Sequence, residues 1–285
     1  MKNRKIKSMG IHFLRVLPMR VVLLLFTALV LGPLIWTIMM SFKTSREILT
    51  NPWALPQGFA LENYVNAFIK ARMTDYFSNS VIIAIVSTLI LMAVSVPAAY
   101  VLSRYTFKGR KLISNIYMAF IFVQGTYLMV PLFLQMMEFK MLDNRFWLCV
   151  VYAVVRFPFN IFLMSGFLRA IPVEYEEAAA IDGCNNFQTM TRIMLPMAKS
   201  GMVTVIMLAL IAYWNEYPLA LILIQTDVKK TLPIGLANLF EVQKFATDWG
   251  ALFAALVIAM IPSGIVYLCG HKKLTSGLSV GGIKG

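Results

Sequence analysis

Long apolar segments alternate with polar ones along this chain of 285 residues. Six of the apolar segments are long enough to cross about 30 Å of hydrocarbon as helices. They are residues 21–42, 79–102, 112–134, 147–168, 201–225 and 249–270. Each contains one proline, which is either ordinary membrane composition or a kink that shapes a cavity. The pattern predicts an all-α integral membrane protein with six transmembrane helices.

The composition supports this prediction. Hydrophobic residues make up 59% of the chain and charged residues 14%, and the mean hydropathy is +0.74. A soluble globule of this length needs more polar surface than that. The first apolar segment follows a basic run, as a signal peptide would, but it is about 20 residues long and no small-residue cleavage site follows it. We therefore expect an uncleaved anchor.

The Lys and Arg residues outside the apolar segments divide unequally between alternate polar segments. Sixteen lie in one set, residues 1–20, 103–111, 169–200 and 271–285. Nine lie in the other set, residues 43–78, 135–146 and 226–248. Because basic residues accumulate in cytoplasmic loops, we expect both termini in the cytoplasm. This bias, together with attraction to anionic lipid head groups, accounts for the net charge of +13 without a nucleic acid partner.

Three regions are expected from this organisation. Residues 1–20 form a cytoplasmic N-terminal segment, residues 21–270 the six-helix transmembrane domain, and residues 271–285 a glycine-rich cytoplasmic tail. The longest outer loop, residues 43–78, contains turn signals and a short amphipathic helix over residues 61–70. Such a loop can receive a partner protein or pack as a lid on its own chain, and the sequence favours neither.

One polar segment, residues 171–197, includes the sequence EYEEAAAIDGCNNFQTMTRIMLP. Pro172 can open a first short helix, because the missing N–H of proline needs no partner there. Gly183 can adopt the left-handed conformation that ends a helix, and Asn185 or its neighbour can cap the next one. The pattern predicts two short helices joined at Gly183 and stopped at Pro196.

All four acidic residues of the expected cytoplasmic side lie in this segment: Glu174, Glu176, Glu177 and Asp182. The dipole of the first short helix favours carboxylates in its first turn. Residues 178–180 are alanines, which favour a helix and leave a smooth surface. An acidic patch on an otherwise basic side is a surface that a partner with basic residues can recognise.

Two charged residues, Arg156 and Glu216, lie within the apolar segments. A charge at the membrane centre costs roughly 2.5 to 3.5 kcal/mol and rarely faces lipid. In continuous helices each would lie about 14 Å from the outer end of its segment, so we expect them to approach each other or to share an aqueous cavity. Neighbouring groups that suit a sugar are Gln124, Trp214 and Asn215. Hydrogen bonding between helices explains the same residues equally well.

Residues typical of catalysis or metal binding do not form a recognisable pattern. The sequence contains no G-x4-G-K-[ST] phosphate-binding run. His12, His271 and the cysteines are too widely separated for a metal site. We therefore expect no enzyme activity, no metal and no cofactor bound by this chain. Two classes of membrane protein stay open at this point: an ATP-independent secondary transporter, for which no clear inverted repeat is visible, and a membrane scaffold or receptor subunit.

The spacing within residues 171–197 resembles the EAA signature of the membrane subunits of binding-protein-dependent ABC importers. The motif positions are Glu177, Ala178, Ala179, Gly183, Ile193, Leu195 and Pro196. The likeness covers nearly the whole chain and is greatest to MalG-type permease subunits, the carbohydrate-uptake branch. Further segments that resemble this branch are residues 214–217, 231–236, 248–250 and the glycine-rich 277–285.

The resemblance implies a type I ABC importer permease fold in a bacterial or archaeal inner membrane. It also implies three kinds of protein partner: a second, homologous permease subunit that completes a heterodimer, a cytoplasmic ABC ATPase dimer that binds ATP and Mg²⁺, and an extracytoplasmic solute-binding protein. The implied substrate is a di- or oligosaccharide, and a glycerol phosphate is the alternative.

The resemblance further implies where the ATPase would bind. The expected coupling residues are Glu174, Glu176, Glu177, Ala178, Ala179, Asp182, Gly183, Ile193, Leu195 and Pro196. The expected tail contacts are Gly281, Gly282, Lys284 and Gly285. The expected translocation path includes Gln124, Arg156, Trp214, Asn215 and Glu216.

Overall fold

A computed structural model of the chain describes residues 2–70, 72–123, 125–246 and 248–281. Throughout these residues the elements are helices and short connections, without a strand. The helices are, in chain order, α1 (Lys2–Ser41), α2 (Ser45–Thr50), α3 (Glu62–Lys70), α4 (Met73–Arg104), α5 (Arg110–Ile121), α6 (Met129–Glu138), α7 (Arg145–Arg169), α8 (Glu174–Ile181), α9 (Asn186–Gln188), α10 (Leu195–Met197), α11 (Lys199–Trp214), α12 (Pro218–Leu223), α13 (Leu232–Ala246) and α14 (Trp249–Gly281).

Within the described residues, four helices are long and apolar enough to cross a membrane. They are α1 from Pro18, α4, α7, and α14 as far as His271. Two bent pairs bring the number of candidate spans to six: α5 with α6, and residues 186–197 with α11. The all-α membrane architecture predicted from the apolar pattern is therefore confirmed, with two of its spans broken.

The third predicted span, residues 112–134, is broken rather than continuous. Helix α5 ends at Ile121, and a 3-10 turn, Gly125–Leu128, leads into α6. The break places Pro131 in the first turn of α6. The backbone N–H that a proline lacks is least needed in the first turn of a helix. A proline in this span thus starts a helix instead of kinking one.

The fifth predicted span, residues 201–225, is also interrupted. Helix α11 ends at Trp214, and α12 begins with Pro218 as its first residue. Proline disfavours the helical conformation of the residue before it, and Tyr217 has φ −123° and ψ −50°. The expected depth of Glu216, which assumed one continuous helix, is therefore wrong.

Helices α4 and α7 pack side by side and run parallel. Near their N-terminal ends, Arg145 of α7 donates a hydrogen bond to Asn79 of α4. At their C-terminal ends, Arg104 of α4 donates to the backbone carbonyl of Leu168 in α7. We call these the Asn79 end and the Arg104 end of the bundle.

The polar segments of this part of the chain divide between the same two ends. The carbonyls of Val228 and Lys230 accept hydrogen bonds of 2.9 Å from Asn79, so residues 226–232 lie at the Asn79 end. The carbonyl of Ile171 accepts from Arg104 at 2.6 Å, which places the start of residues 171–197 at the Arg104 end. These two segments therefore lie at opposite ends of the bundle, as the alternation of loops predicts for them.

Polar side chains also join α4 to α7 inside the bundle. Asn160 donates to the hydroxyl of Ser95, and the Ser165 hydroxyl donates to the carbonyl of Ala99 at 3.4 Å. Hydrogen bonds of this kind hold membrane helices together, because lipid offers the same groups no partner.

Residues 1–70 and 239–258 form a compact unit of their own. Within it, the amide of Asn63 donates to the carbonyls of Ser41 and Lys43, both at 2.8 Å. Gly250 lies against the same amide, so close that a Cβ there would be 2.4 Å from its oxygen. The amphipathic helix predicted for residues 61–70 is confirmed as α3. The remaining residues form a second unit, which contains the sites described next.

Candidate coupling surface and intramembrane polar cluster

Helix α8 begins at Glu174, two residues after Pro172. The helix was predicted to begin at Pro172, but it begins two residues later. Val173 is the N-cap, and its carbonyl accepts from the N–H groups of Glu176 and Glu177 at 2.9 and 3.2 Å. Three carboxylates lie in the first turn, where the helix dipole favours them.

The predicted helix end at Gly183 is confirmed. Gly183 has φ +81°, and the N–H groups of Gly183 and Cys184 donate to Ala180 and Ala179 at 3.1 and 2.9 Å. This is the Schellman arrangement, which satisfies the last carbonyls of a helix. The predicted cap at Asn185 is also confirmed, because its side chain and that of Gln188 form a reciprocal capping box. Both ends of the turn are thus defined by local hydrogen bonds.

Helix α8 presents one face to solvent and buries another. Exposed positions follow helical spacing and form what we call the α8 face: Glu174, Glu177, Ala178 and Ile181. Ile181 is 87% exposed, whereas Ala179 is 2% exposed. The α8 face therefore offers both carboxylates and one exposed apolar side chain to a partner. Of the two alanines in the motif, only Ala178 is available to such a partner.

Arg104 anchors α8 to the membrane helices. Its guanidinium Nη2 donates to the carbonyls of Leu168 and Ile171 at 2.5 and 2.6 Å, at the point where the chain leaves α7. Its Nε lies 3.5 Å from the Glu176 carboxylate, and the two side chains are only 10% and 16% exposed. One buried cation therefore joins α4, α7 and α8. Glu176 faces inward, unlike Glu177.

After α9 the chain forms a π-helical turn, Thr189–Met194, and then α10. The helix predicted to stop at Pro196 ends one residue later, at Met197, and the chain bends by 80° before α11. Pro196 follows the π-helical turn directly and lies inside the helical run Asn186–Met197. Of the other motif positions in this part, Ile193 and Leu195 are half-buried and Pro196 is exposed.

Glu216 lies in the break between α11 and α12 and caps the second helix. Its carboxylate accepts from the N–H groups of Leu219 and Ala220 at 2.8 and 3.1 Å. It also accepts a hydrogen bond from the hydroxyl of Tyr152 in α7. A charged group in the membrane thus satisfies the open N–H groups that the break creates.

Arg156 and Glu216 do not contact each other directly. Tyr152, which donates to Glu216, stacks on Tyr213 with ring centroids 5.5 Å apart. Among the described residues, no ion pair joins Arg156 to Glu216. The two tyrosines were absent from the sequence prediction, since nothing in an apolar segment distinguishes a tyrosine with a polar partner from one facing lipid.

The other predicted path residues have varied surroundings. Trp214 is buried, donates to the carbonyl of Ala259 at 3.0 Å and packs edge to face on Phe77. Asn215 is exposed, and its amide donates to the carbonyl of Ile211 at 2.7 Å. Gln124 lies outside the described residues, as do Gly282, Lys284 and Gly285 of the tail, and Gly281 ends α14.

Asp143 connects two polar segments at the Asn79 end. Its carboxylate accepts from the backbone N–H groups of Gln225 and Thr226 at 3.0 and 2.8 Å, and it pairs with Lys229 at 2.7 Å. Burial by itself would raise the pKa of Asp143, but the hydrogen bonds from Lys229 and Thr226 outweigh it and hold the pKa below its usual value. The ionised carboxylate is therefore a tie between the segments before α7 and after α12.

Replacing Asp143 with Asn is expected to lower the free energy of unfolding by about 1 kcal/mol at pH 7. Folding lowers the pKa of Asp143. The extra free energy of unfolding of the wild type is therefore present above the unfolded-state pKa of about 3.9 and is lost as the pH falls below that value. Thermal unfolding of the purified protein at a series of pH values measures both effects. Glu138→Gln, at an exposed residue of α6, is the control. If the difference in melting temperature between wild type and Asp143→Asn stays the same at acidic pH, the ionised carboxylate of Asp143 does not join the two segments.

Comparison with known proteins agrees with this architecture. Residues 95–279 match the family of binding-protein-dependent transport system inner membrane components. The diacetylchitobiose uptake system permease protein NgcG of Streptomyces coelicolor is 35% identical over 91% of this chain and 86% of its own length. The trehalose/maltose transport system permease protein MalG of Thermococcus litoralis is 33% identical over 92% of this chain and 94% of its own. A crystal structure of a bacterial ABC transporter involved in the import of the acidic polysaccharide alginate contains a chain with TM-score 0.80 and 26% identity, covering 91% of this chain and 96% of that one.

The fold and the comparisons define an all-α, multi-pass permease of the ABC importer type. This chain belongs to the family of binding-protein-dependent transport system inner membrane components. The family resemblance expected from the EAA spacing is therefore confirmed.

Proposed function

We propose that this chain is a permease subunit of an ATP-driven importer for a di- or oligosaccharide. It forms the translocation path with a second, homologous permease subunit in a bacterial or archaeal inner membrane. An extracytoplasmic solute-binding protein delivers the sugar. ATP and Mg²⁺ bind to a pair of separate ATPase subunits, so this chain hydrolyses nothing itself.

The α8 face is the observation that carries the ATP-driven part of the proposal. It combines carboxylates and an 87% exposed isoleucine on a short helix, and the buried Arg104 ties that helix to α4 and α7. A partner that moves α8 therefore also moves the two parallel membrane helices. This is the mechanical connection that a coupling element needs, because a rigid contact transmits displacement without an intervening hinge.

The sidedness of the membrane follows from the distribution of charge. The Arg104 end includes residues 103–111 and 169–200, which belong to the set that carries most of the Lys and Arg residues. By the positive-inside rule this end is cytoplasmic, which puts the α8 face and both chain termini on the side of the ATPases. The tail contacts of Gly281, Gly282, Lys284 and Gly285 with the ATPases remain a prediction of the same proposal.

The names of similar permeases support a sugar as the substrate. The chain is similar to permease proteins for diacetylchitobiose and for trehalose or maltose. A relative from Agrobacterium fabrum, 33% identical over 90% of this chain, is named for sulfoquinovosyl glycerol, so a charged glycerol derivative is the second candidate. Among the predicted path residues that the structure describes, Arg156 is the better candidate for substrate contact, since Trp214, Asn215 and Glu216 have hydrogen-bond partners within the chain.

Co-purification and uptake test the proposal together. A tagged copy of this chain, expressed from its native host, should recover an ABC ATPase and a second permease in fixed proportion. Proteoliposomes containing that complex should take up a disaccharide only with ATP and the companion binding protein. ATP-independent uptake by this chain alone would favour the secondary transporter instead.

Glu177→Lys is expected to uncouple ATP hydrolysis from transport. Reversing the charge in the middle of the α8 face places a cation against basic partner residues, so we expect ATP-driven uptake to fall by at least about tenfold, which corresponds to about 1.4 kcal/mol. The uptake rate and ATP hydrolysis of the reconstituted complex are measured side by side. Glu138→Lys, an exposed charge reversal in α6, is the control. Full uptake by Glu177→Lys would count against the proposed contact.

A further inference from the structure

A groove of about 300 Å³ lies between α5 and α7 at the Arg104 end. It is built by α5, in which no residue is buried, and by the last third of α7. Its walls are apolar at Ile161 and Phe162, and polar at Ser114, Tyr117 and Arg169. Neither the α8 face nor the Glu216 cluster contributes a residue to it.

The charged residue of the groove, Arg169, is separated from the apolar floor along the helix axis, whereas Tyr117 and Ser165 are polar residues that lie deeper. Arg169 is the last residue of α7, and Ile161 lies eight residues earlier, which is about 12 Å deeper along a helix. Ser114 lies just over one turn from the start of α5 at Arg110, and therefore near the same surface as Arg169. The groove thus has a polar mouth at the membrane surface and an apolar floor that extends into the hydrocarbon.

The charge at the mouth is positive. Arg169 is exposed, and no carboxylate of the described residues lies within ion-pair distance of it. Lys111, one residue after the start of α5, is also exposed. Arg110 donates a hydrogen bond to the carbonyl of Leu102 at 3.0 Å, and its positive charge also lies at this end of α5. A ligand with an anionic head is complementary to this mouth.

A glycine keeps the groove open. Gly166 lines the groove, and a Cβ added there would meet no atom within 4 Å. A side chain at this position would therefore begin in open space and extend into the groove. A glycine in the middle of a helix also costs stability relative to alanine, so the open space is not explained by the helix itself.

We propose that this groove is a binding site for an anionic phospholipid. The lipid phosphate pairs with Arg169 and accepts a hydrogen bond from Ser114, and an acyl chain lies against Ile161 and Phe162. The combination of a cationic mouth at head-group level and an apolar floor about 12 Å long matches the two parts of a phospholipid, whereas a sugar has no part for the apolar floor. The site goes beyond the proposed transport function and requires no substrate.

Native mass spectrometry of the detergent-solubilised permease complex tests the site. The complex is equilibrated with equal amounts of phosphatidylglycerol and phosphatidylcholine, and the adducts that remain bound are counted. Two variants address the two parts of the groove: Gly166→Leu fills it, and Arg169→Gln removes the charge at its mouth. Arg192→Gln is the matched control, because Arg192 is exposed at the same end but does not line the groove.

Wild type and Arg192→Gln should retain phosphatidylglycerol in preference to phosphatidylcholine. Arg169→Gln should lose about fivefold of that preference, and Gly166→Leu should retain neither lipid at this site. Equal phosphatidylglycerol adducts in all four proteins would overturn the proposal. So would loss of the second permease subunit from Gly166→Leu with unchanged lipid adducts, since the groove would then be a subunit interface.

Discussion

Replacing Arg104 with Gln is expected to reduce ATP-driven uptake by at least about tenfold while ATP hydrolysis continues. The substitution leaves the Glu176 carboxylate, only 16% exposed, without its cation, and it weakens the capping of two carbonyls at the end of α7. Leaving one member of a buried pair uncompensated costs about 3 kcal/mol. Helix α8 then moves independently of α4 and α7, so ATPase closure no longer reaches the membrane helices.

A second variant separates coupling from general destabilisation. In Arg104→Gln with Glu176→Gln, no uncompensated charge remains, so thermal stability should recover toward wild type. Uptake should stay low, because the connection between α8 and the membrane helices is still missing. Arg104→Lys should have stability and uptake between those of wild type and Arg104→Gln. A lysine ammonium keeps the charge but lacks the planar guanidinium that donates to several acceptors at once.

The measurements are the ratio of sugar taken up to ATP hydrolysed in proteoliposomes and the melting temperature of the purified complex. Lys108→Gln, at an exposed residue of the same end of the bundle and outside residues 171–197, should behave as wild type in both. If Arg104→Gln transports normally, or if uptake recovers fully with stability in the double variant, Arg104 is a structural residue and not the coupling anchor.

Replacing Glu216 with Ala is expected to destabilise the protein by about 2 to 4 kcal/mol. The variant removes the cap of α12, typically about 1 kcal/mol, and leaves the Tyr152 hydroxyl buried without an acceptor, about 1 to 3 kcal/mol. Sugar uptake by the Glu216→Ala variant should fall in proportion to the fraction of the protein that is folded. Glu216→Gln, which keeps one acceptor oxygen, should lose less than half as much stability.

Tyr152→Phe identifies which contact matters. If Glu216 acts mainly through α12, Tyr152→Phe should be close to wild type in melting temperature, and Glu216→Ala should be equally harmful in either background. If the tyrosine contact dominates, the effects of the two substitutions should not add. Arg156→Gln is measured alongside. Intact transport in both Glu216→Gln and Arg156→Gln would exclude these two charges from the translocation path.

The short local signals in the sequence were reliable because local interactions alone decide them. Gly183 ends α8, and Asn185 caps the next helix, through hydrogen bonds that reach no more than five residues along the chain. The six apolar segments were equally visible, since the thickness of the hydrocarbon core sets the length of any helix that crosses it. The EAA spacing correctly indicated the family.

The breaks in the third and fifth spans could not be predicted from the same pattern. Every apolar segment contains one proline, but only Pro131 and Pro218 follow a break, whereas Pro33, Pro97, Pro158 and Pro262 lie inside continuous helices. Which outcome occurs depends on whether neighbouring helices satisfy the freed backbone groups. For α12, that partner is the carboxylate of Glu216.

By itself, the sequence determined the class of protein, the number of apolar segments, the turn at Gly183 and the extent of the polar segment of residues 171–197, because each depends on composition or on neighbours in the chain. Only the tertiary structure decided which residues of α8 face outward, and that Arg104 joins Glu176 to the carbonyls of Leu168 and Ile171. More than 60 residues separate Arg104 from these partners. The parallel packing of α4 and α7 brings them together, and no local pattern encodes such a meeting.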